Sequence, residues 1–595
     1  MAADNQNTVR LPTFNRKFFT SAEDITVIGS GSIGGKAQGL AAVQKILRER
    51  FRPEEFPGFE VKVPRMTVIA SDVFGKFIQR NHLRPAELAA YSDQYIAHLF
   101  QRGEFPAEHL GDLLALMQEV HSPLAVRSSS LLEDALAHPF AGVYATKMIP
   151  NHRMEPENRF QKLLEAIKFV YASTYFREAR AYIQSVGESI EEERMAVIIQ
   201  EIVGGRMRDL FYPTISGVGR TYNYYPIGKA KPMDGVVNLA LGLGKTIVDG
   251  GITWAYSPAF PRLNPPYNSI NDLLKNSQTK FWAVNMGLIR MFDPLKETEY
   301  MTEEPISIAD EDGNLKFTAS TYNPASDRLY PGVGAAGPRM INFAPVLVNR
   351  TPPLNDLIKN LLEIAKAASG AEVEIEFAVN LDRQDGLPAK VGFLQMRQMA
   401  AFSDSIDLEA ENTAQNNPLV ISNSVMGNGK ITHIIDIVYV KPETFQAKFN
   451  PVIAEEIDNF NCSLVREGKS YLLLGFGRWG SSDPWLGIPV VWSQICGAGA
   501  IVESTLPEMN VELSQGSHFF HNLTSFKVPY FTVRHTDRET KIDWQWLNRQ
   551  KVVAETKFVR QIALESPLTI LVDGRVGKGV IFLENSRQLS AASRQ

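Results

Sequence analysis

PLAVRSSSLLEDALAHPFAGVYATKM, residues 123–148, is the stretch on which the reading of this chain turns. A short apolar run ends at Arg127, three hydroxyls follow, then Glu133 and Asp134, then the small flexible stretch Phe140-Ala141-Gly142. An arginine at a strand end offers a planar fork of donors that suits a polyphosphate, and a glycine-containing loop can close over such a ligand. The same residues also allow a plain buried ion pair between Arg127 and Asp134. The neighbours must decide between the two.

Upstream, ITVI (Ile25–Ile28) reads as a short strand that stops at the glycines of GSGSIG, Gly29–Gly34. A helix should follow, because Leu40, Val43, Ile46 and Leu47 recur at helical spacing with Lys and Arg crowding its end. GSGSIG has the spacing of a dinucleotide fingerprint. The next segment, FRPEEFPGFEVKVP, holds no compact second strand ending in an acid that could meet a ribose. A P-loop fails too, since Ser30 stands at its first glycine and Ala37 at its Ser/Thr. What remains is Lys36 at a helix start, where amides and one ammonium could hold a phosphate, or where a lysine is simply solvated on a capped helix.

Downstream, Glu374 and Glu376 of VEIEFAVN are two apart and share one face of a strand. Paired carboxylates repel unless a cation lies between them, and hard oxygens suit magnesium. GFLQMRQ places Gln395 and Arg397 on one face of a further strand, able to extend that metal site toward a transferred group. Either strand could instead be the polar face of a half-buried sheet. Arg159 to Ser185 reads as helix, Met195 to Val203 as a buried strand, 206–260 as mainly β and 354–369 as helix.

Composition narrows the function classes. The 595 residues suggest several cores, with 44% hydrophobic and 21% charged residues as in an ordinary globular protein. Acids outnumber bases, 66 to 61, and the bases are scattered, which disfavours a nucleic-acid partner. Two cysteines, Cys462 and Cys496, make neither a disulfide framework nor a paired zinc site. No segment reaches the roughly 18 apolar residues that would span a bilayer, and the N-terminus has no signal-peptide core, so a cytoplasmic protein is expected.

GGKAQGL, VPRMTVI, AVRSSSLLED, PFAGVYAT, AVIIQEIV, LGLGKTIVDGG, EIEFAVN and QMR stand in this order between residues 31 and 400. Together they resemble the blocks of the N-terminal PEP/pyruvate-binding domain, an ATP-grasp nucleotide-binding module, of the phosphoenolpyruvate synthase and pyruvate phosphate dikinase family. The resemblance implies an α/β (α+β) fold with two lobes around an ATP cleft, at 25–200 and 201–400, after an irregular segment 1–24. It implies that Lys36 and Arg127 hold ATP phosphates, that Gly142 and Thr146 belong to the loop over the triphosphate, and that Gln200, Glu201 and Val203 line the adenine. Glu374 and Glu376 with Gln395 would carry Mg2+, and Arg127 and Arg397 would act on the transferred group. Two departures stand out: Glu374 replaces the family's aspartate, and Lys245 replaces a glutamate after GLG.

Ala401–Pro418, AFSDSIDLEAENTAQNNP, is polar, acidic and amide-rich, and marks a linker. Beyond it, 419–595 contains IIDIVYV, YLLLGF, GAIVE and YFTV, which predict a smaller α/β domain. SQGSHFFHNLTSFKVPYFTV is similar to the segment around the histidine of the family's phosphohistidine swivelling domain, which makes His518 the candidate acceptor. The usual paired glycines and threonine are replaced by Gln515, Gly516 and Ser517, and His521 is a second candidate. The family's pyruvate barrel would need roughly 250 further residues. The final acceptor is therefore expected on a separate protein, on a longer form of this one, or to be a different substrate. Two functions stay open: an ATP- and Mg-dependent phosphotransferase, or a catalytically reduced ATP-binding regulatory module acting through a partner protein. A third, an ATP-grasp ligase, would share the cleft but make ADP in a substrate-dependent way.

Overall fold

A computed structural model describes residues 11–15, 24–133, 142–226, 229–263, 269–287, 293–381, 388–399, 418–481, 483–507, 519, 523 and 526–583. The chain divides into two compact units. The first comprises 1–222, 233–247 and 252–399, and the second 223–232, 248–251 and 400–595. Of the expected linker, only Pro418 is among the described residues.

In the first unit the leading strands are Ile25–Ile28 (β1), Phe59–Lys62 (β2), Met66–Ile69 (β3), Leu124–Ser130 (β4), Thr146–Ile149 (β5) and Met195–Glu201 (β6). All but β2 form a sheet in the order β1-β3-β6-β4-β5, with β1 and β3 parallel and the other neighbours antiparallel. Apolar runs such as MTVI and MAVII are buried throughout, as expected of strands covered on both faces. The N-terminal segment, expected to be irregular, adds a bridge from Thr13 to Val27.

Helix α1, Gly34–Arg50, follows β1 and buries Leu40, Val43 and Leu47, the face that the apolar spacing predicts. Its last turn carries Arg48 and Arg50, whose charge favours the negative end of the helix. Next come α2 (Ser71–Arg80), α3 (Pro85–Leu88), α4 (Asp93–Arg102), α5 (Ala107–Glu119), α6 (Pro156–Ser173) and α7 (Arg177–Ser185). The single helix expected over 159–185 thus begins three residues earlier and is broken. The amides of Thr174, Tyr175 and Phe176 turn back to the carbonyls of Tyr171, Ala172 and Ser173, and Asp93 accepts from the Arg177 amide that restarts the helix.

The later strands of this unit are Gly205–Met207 (β7), Leu210–Tyr212 (β8), Ile215–Arg220 (β9), Val236–Ala240 (β10), Trp254–Tyr256 (β11), Lys280–Asn285 (β12), Met301–Pro305 (β13), Ala319–Asn323 (β14), Arg328–Pro331 (β15), Arg339–Ile341 (β16), Val373–Asn380 (β17) and Ala389–Gln398 (β18). A second sheet runs β11-β10-β9-β17-β18-β2, a third β13-β12-β8-β7 and a small one β15-β14-β16. The helix expected at 354–369 is present and packs on β17. One continuous apolar core joins α1, that helix and the strands of the second sheet.

The second unit is a mixed sheet. Asn428–Val440, Tyr471–Phe476, Ala498–Ser504 and Tyr530–Val533, the four runs expected to be strands, lie side by side and parallel. The helix Asn450–Arg466 crosses from the first to the second of them, as a parallel pair requires. Val559–Asp573 and Lys578–Leu583 extend the sheet antiparallel. Within this unit Arg478 Nη1 donates to the Gly250 carbonyl at 3.1 Å, so the unit includes pieces of chain that the linker position does not announce. Cys462 and Cys496 are both half-buried. Among the described residues no helix is long and apolar enough to cross a membrane.

Candidate functional site

Arg127 sits on β4 opposite Thr146 of β5 and Ile198 of β6. Its guanidinium reaches from the first sheet to β18 of the second. Nη1 donates to the Leu394 carbonyl at 3.0 Å and to Gln200 Oε1 at 3.3 Å, Nη2 donates to Gln395 Oε1 at 2.9 Å, and Glu376 Oε2 lies 4.0 Å away. Four sequence-predicted residues, Arg127, Gln200, Glu376 and Gln395, therefore meet at one place. These hydrogen-bond partners are neutral, and among the described residues the carboxylate paired with this cation is that of Glu376.

The two strands facing Arg127 explain the meeting. Glu374 is the register partner of Arg397, and Glu376 that of Gln395. The next pair is Phe377 with Phe393, so Leu394 is the extra residue of a bulge, and the carbonyl of that residue is the one that Arg127 binds. Glu376 remains half-buried, whereas Glu374 is buried and paired with Arg220 Nε at 2.6 Å. Arg220 ends β9, beside Glu374, and its Nη1 also donates to Asn238 at 3.3 Å. The carboxylate pair expected to share a cation is thus unequal: Glu374 is hydrogen-bonded to a guanidinium, whereas Glu376 meets that of Arg127 only at 4.0 Å. Arg397 is buried on β18.

Lys36 lies in the first turn of α1, which packs on both β4 and β18. Its ammonium is not solvated. It pairs with Glu133 Oε1 at 2.6 Å, with Ser128 Oγ 3.4 Å away, and both Lys36 and Glu133 are buried. Glu133 also accepts from Ser128 Oγ at 2.9 Å and from the Ser130 amide at 3.0 Å. Ser129 Oγ donates to the Ile33 carbonyl and accepts from the Ala37 amide, which pins the start of α1 to the end of β4. The contact leaves no room for side chains on α1: a Cβ at Gly34, whose φ is +75°, would fall 1.7 Å from the Ser129 carbonyl oxygen, and one at Gly35 1.9 Å from that of Glu133. Behind this pair, burial, opposed by a Ser130 hydrogen bond and reinforced by the Glu133 charge, pushes the Glu193 carboxyl up to about 7. Asp134, the alternative partner for Arg127, lies outside the described residues, as does Phe140-Ala141.

The glycine-rich loop before α1 has an anion already. Asp72 Oδ1 accepts from the Ser30 and Gly31 amides, each at 3.0 Å, and Oδ2 accepts from Ser30 Oγ at 3.3 Å. Burial works against the Asp72 charge, but these bonds and Lys76 hold its pKa below the ordinary value. The dinucleotide spacing of GSGSIG is thereby accounted for by an internal carboxylate.

On β5 and the turn before it, Gly142 has φ +73° and the Thr146 amide donates to Glu297 at 3.0 Å. The next residue, Lys147, pairs with Glu299 at 2.7 Å, with both side chains buried. Where β6 ends, Glu201 accepts from Ser122 at 2.8 Å, and Val203 fills space that the missing side chain of Gly392 leaves open. Between them Ile202 belongs, with Met148, Phe211, Trp282 and Met301, to a partly buried apolar wall packed against the buried Leu243, Val284 and Met286. Such a wall beside a few polar groups suits a flat heterocycle. Lys245 stands 5.9 Å from the centre of the Trp282 ring. His518 and His521 lie outside the described residues.

Arg220, Glu299, Asp72 and the Leu394 carbonyl are the participants that sequence reasoning missed, together with the pairing of Glu133 to Lys36. Among the described residues no three His, Cys, Asp or Glu side chains gather as a metal-binding group. The donor set at Glu376 and Gln395, one carboxylate and one amide oxygen in register, fits magnesium in its usual manner, in which phosphate oxygens and water complete the shell.

An arginine fork facing hard oxygens, with an apolar wall on the same unit, is chemistry that a nucleotide could use. A family model for the pyruvate phosphate dikinase AMP/ATP-binding domain matches residues 30–417, well over half of the chain, and the chain belongs to that family. It is also similar to the uncharacterized phosphotransferase YvkC of Bacillus subtilis (strain 168), with 24% identity over 194 residues, 32% of this chain and 20% of that protein. The match thus spans about a fifth of that curated relative's length.

Proposed function

We propose that the first unit binds ATP with Mg2+ as an ATP-grasp module, with lobes at 25–200 and 201–400, and that the chain is a phosphotransferase related to phosphoenolpyruvate synthase and pyruvate phosphate dikinase. The observation that carries this reading is Arg127, a half-buried cation whose hydrogen bonds go to neutral acceptors at the edge where Glu376 and Gln395 stand. In this reading the triphosphate takes the fork of Arg127, and Lys36 exchanges part of its pairing with Glu133 for a phosphate. Gly142 and Thr146 belong to the loop over the phosphates. Gln200, Glu201 and Val203 flank the adenine against the apolar wall at Ile202 and Met148.

Glu376 and Gln395 would hold the magnesium ion, which supplies charge neutralisation on the phosphate oxygens. Glu374 acts beside them through Arg220, and reaches a cation directly only by leaving that partner. Arg397 stands two register positions on, opposite Glu374, and would act at the reacting end. Phosphoryl transfer needs mostly positioning and charge compensation, and these residues supply both.

A second reading has a specific observation in its favour. Lys245, where the family has glutamate, and the Glu374–Arg220 pair are compatible with a cleft that binds ATP without turnover while 419–595 engages a partner. The two are separated by incubating the protein with magnesium and ATP labelled at the β or γ position. A phosphotransferase of the family type forms AMP and an acid-labile, base-stable phosphoprotein, and His518→Ala removes that label if His518 is the acceptor. ADP formed only with an added carboxylate and amine would indicate a ligase, and bound, unconverted ATP would establish the regulatory reading.

A further inference from the structure

The strand β5 is the outermost of its sheet, so one of its edges has no neighbouring strand to receive its amides. Residues 293–300 are tied to it there. Lys147 Nζ donates to the Pro294 carbonyl at 2.7 Å and pairs with Glu299 Oε2 at 2.7 Å, and both side chains are buried. The same ammonium stands 5.0 Å from the centre of the Phe169 ring and 5.8 Å from that of Tyr300. Between the two anchors the chain turns outward. Lys296 and Glu297 are exposed, and Glu297 Oε1 accepts from the Thr146 amide at 3.0 Å.

That amide is a donor at the nucleotide end of the unit. Thr146 is the register partner of Arg127, and strand alternation places its side chain on the same face as Met148 of the apolar wall. The amide before it, that of Ala145, already donates to Ser173 Oγ at 3.1 Å. Thr146 N–H is thus a donor that a phosphate oxygen on the Arg127 fork could use, and in the free protein a carboxylate has it.

The surroundings of that carboxylate are acidic. Asp93 Oδ1 is committed to the Arg177 amide at 2.7 Å. Next to Arg177, burial and then the charges of Asp93 and Glu297 push the Glu178 carboxyl up to about 7. Like charges in one place weaken each other's hold, and a triphosphate arriving at Arg127 would add several more. One N–H cannot serve a carboxylate and a phosphate at full strength. The anchors at Lys147 do not involve Glu297, so its side chain can swing out to water while the rest of the segment stays.

We propose that Glu297 is an internal competitor for ATP: its carboxylate holds the Thr146 amide in the empty protein and yields it to a phosphate oxygen when the nucleotide binds. The inference rests on the nucleotide reading of this unit and adds to it a contact that holds the affinity down.

The test is isothermal titration of the whole protein with MgATP, for the parent, Glu297→Ala and Glu297→Gln. Glu297→Ala should bind MgATP roughly tenfold more tightly, because no charge-assisted bond has to be given up first. Glu297→Gln, which keeps an acceptor without the charge, should fall between the two. Both variants should keep the parent's thermal midpoint within a few degrees, since the buried pair of Lys147 and Glu299 is untouched. Equal affinity in parent and Glu297→Ala overturns the competitor and leaves the nucleotide site standing. So does weaker binding in Glu297→Ala, which would make Glu297 a ligand of the nucleotide or its cation. MgATP binding by none of the three proteins defeats the nucleotide reading itself, and the competitor with it.

Discussion

Replacing Arg127 by methionine keeps an unbranched stem and removes the guanidinium. In the free protein this deletes donors to the Leu394 carbonyl at 3.0 Å and Gln395 at 2.9 Å, and leaves both acceptors in a poorly solvated place. Unsatisfied buried groups cost about 1–3 kcal/mol, so a modest drop in the urea midpoint should accompany the change. The effect on ATP is separate. A hydrogen bond to a charged group contributes about 1.5–3 kcal/mol, and 1.4 kcal/mol is a factor of ten, so ATP should bind roughly 10- to 150-fold more weakly. Isothermal titration with MgATP at a temperature well below unfolding measures it, with Arg84→Met as a control in an exposed ion pair with Glu87. A folded Arg127→Met protein that binds ATP within twofold of the parent refutes the reasoning.

Three further outcomes follow from the same geometry. Gly35→Ala would set a Cβ 1.9 Å from the Glu133 carbonyl and should cost about 3 kcal/mol, whereas Gly75→Ala, inside α2 with nothing within 4 Å, should stabilise by about 0.5–1 kcal/mol; urea denaturation reads both. Glu133→Gln leaves the Lys36 ammonium buried without its counter-charge and should lose about 3–5 kcal/mol, a deficit that shrinks under saturating ATP if a phosphate takes the place of the carboxylate. Glu193, pushed up to about 7 mainly by burial, binds its proton more tightly in the folded chain than in the unfolded one. Its contribution is present at low pH and is lost as pH rises from about 4.5 through 7, a span of roughly 3 kcal/mol, so Glu193→Gln should flatten the fall in stability across that window and be the more stable protein at pH 8.

Much of the fold is legible in the sequence because its signals are local. The face of α1 follows from apolar spacing, and the four parallel strands of the second unit follow from the runs IIDIVYV, YLLLGF, GAIVE and YFTV. The pairing of Glu376 with Gln395 follows in part from alternation, which places each on a definite strand face. The counter-charges do not follow. Glu374 meets Arg220, 154 residues away, and Lys36 meets Glu133, 97 residues away, through tertiary packing that no spacing encodes. The Leu394 bulge is a mismatch between two strands and has no signature in either one. The glycines of GGK, which suggest a phosphate cradle, are required instead by the close approach of α1 to the carbonyls of Ser129 and Glu133. In the same way the amides of Ser30 and Gly31 serve Asp72, a partner supplied by the start of α2.

The claim that everything else depends on is that one triphosphate and its cation lie between Arg127 and the Glu376–Gln395 edge. Crystals grown with a non-hydrolysable ATP analogue and Mn2+ in place of Mg2+ test it directly, because the anomalous signal of manganese locates the ion without reference to any sequence argument. The account predicts a single strong peak in contact with Glu376 and Gln395 Oε1, with the phosphates on the fork of Arg127. A nucleotide seated elsewhere, or manganese bound away from Glu376 with Arg127 still bonded to Leu394 and Gln395, would contradict it.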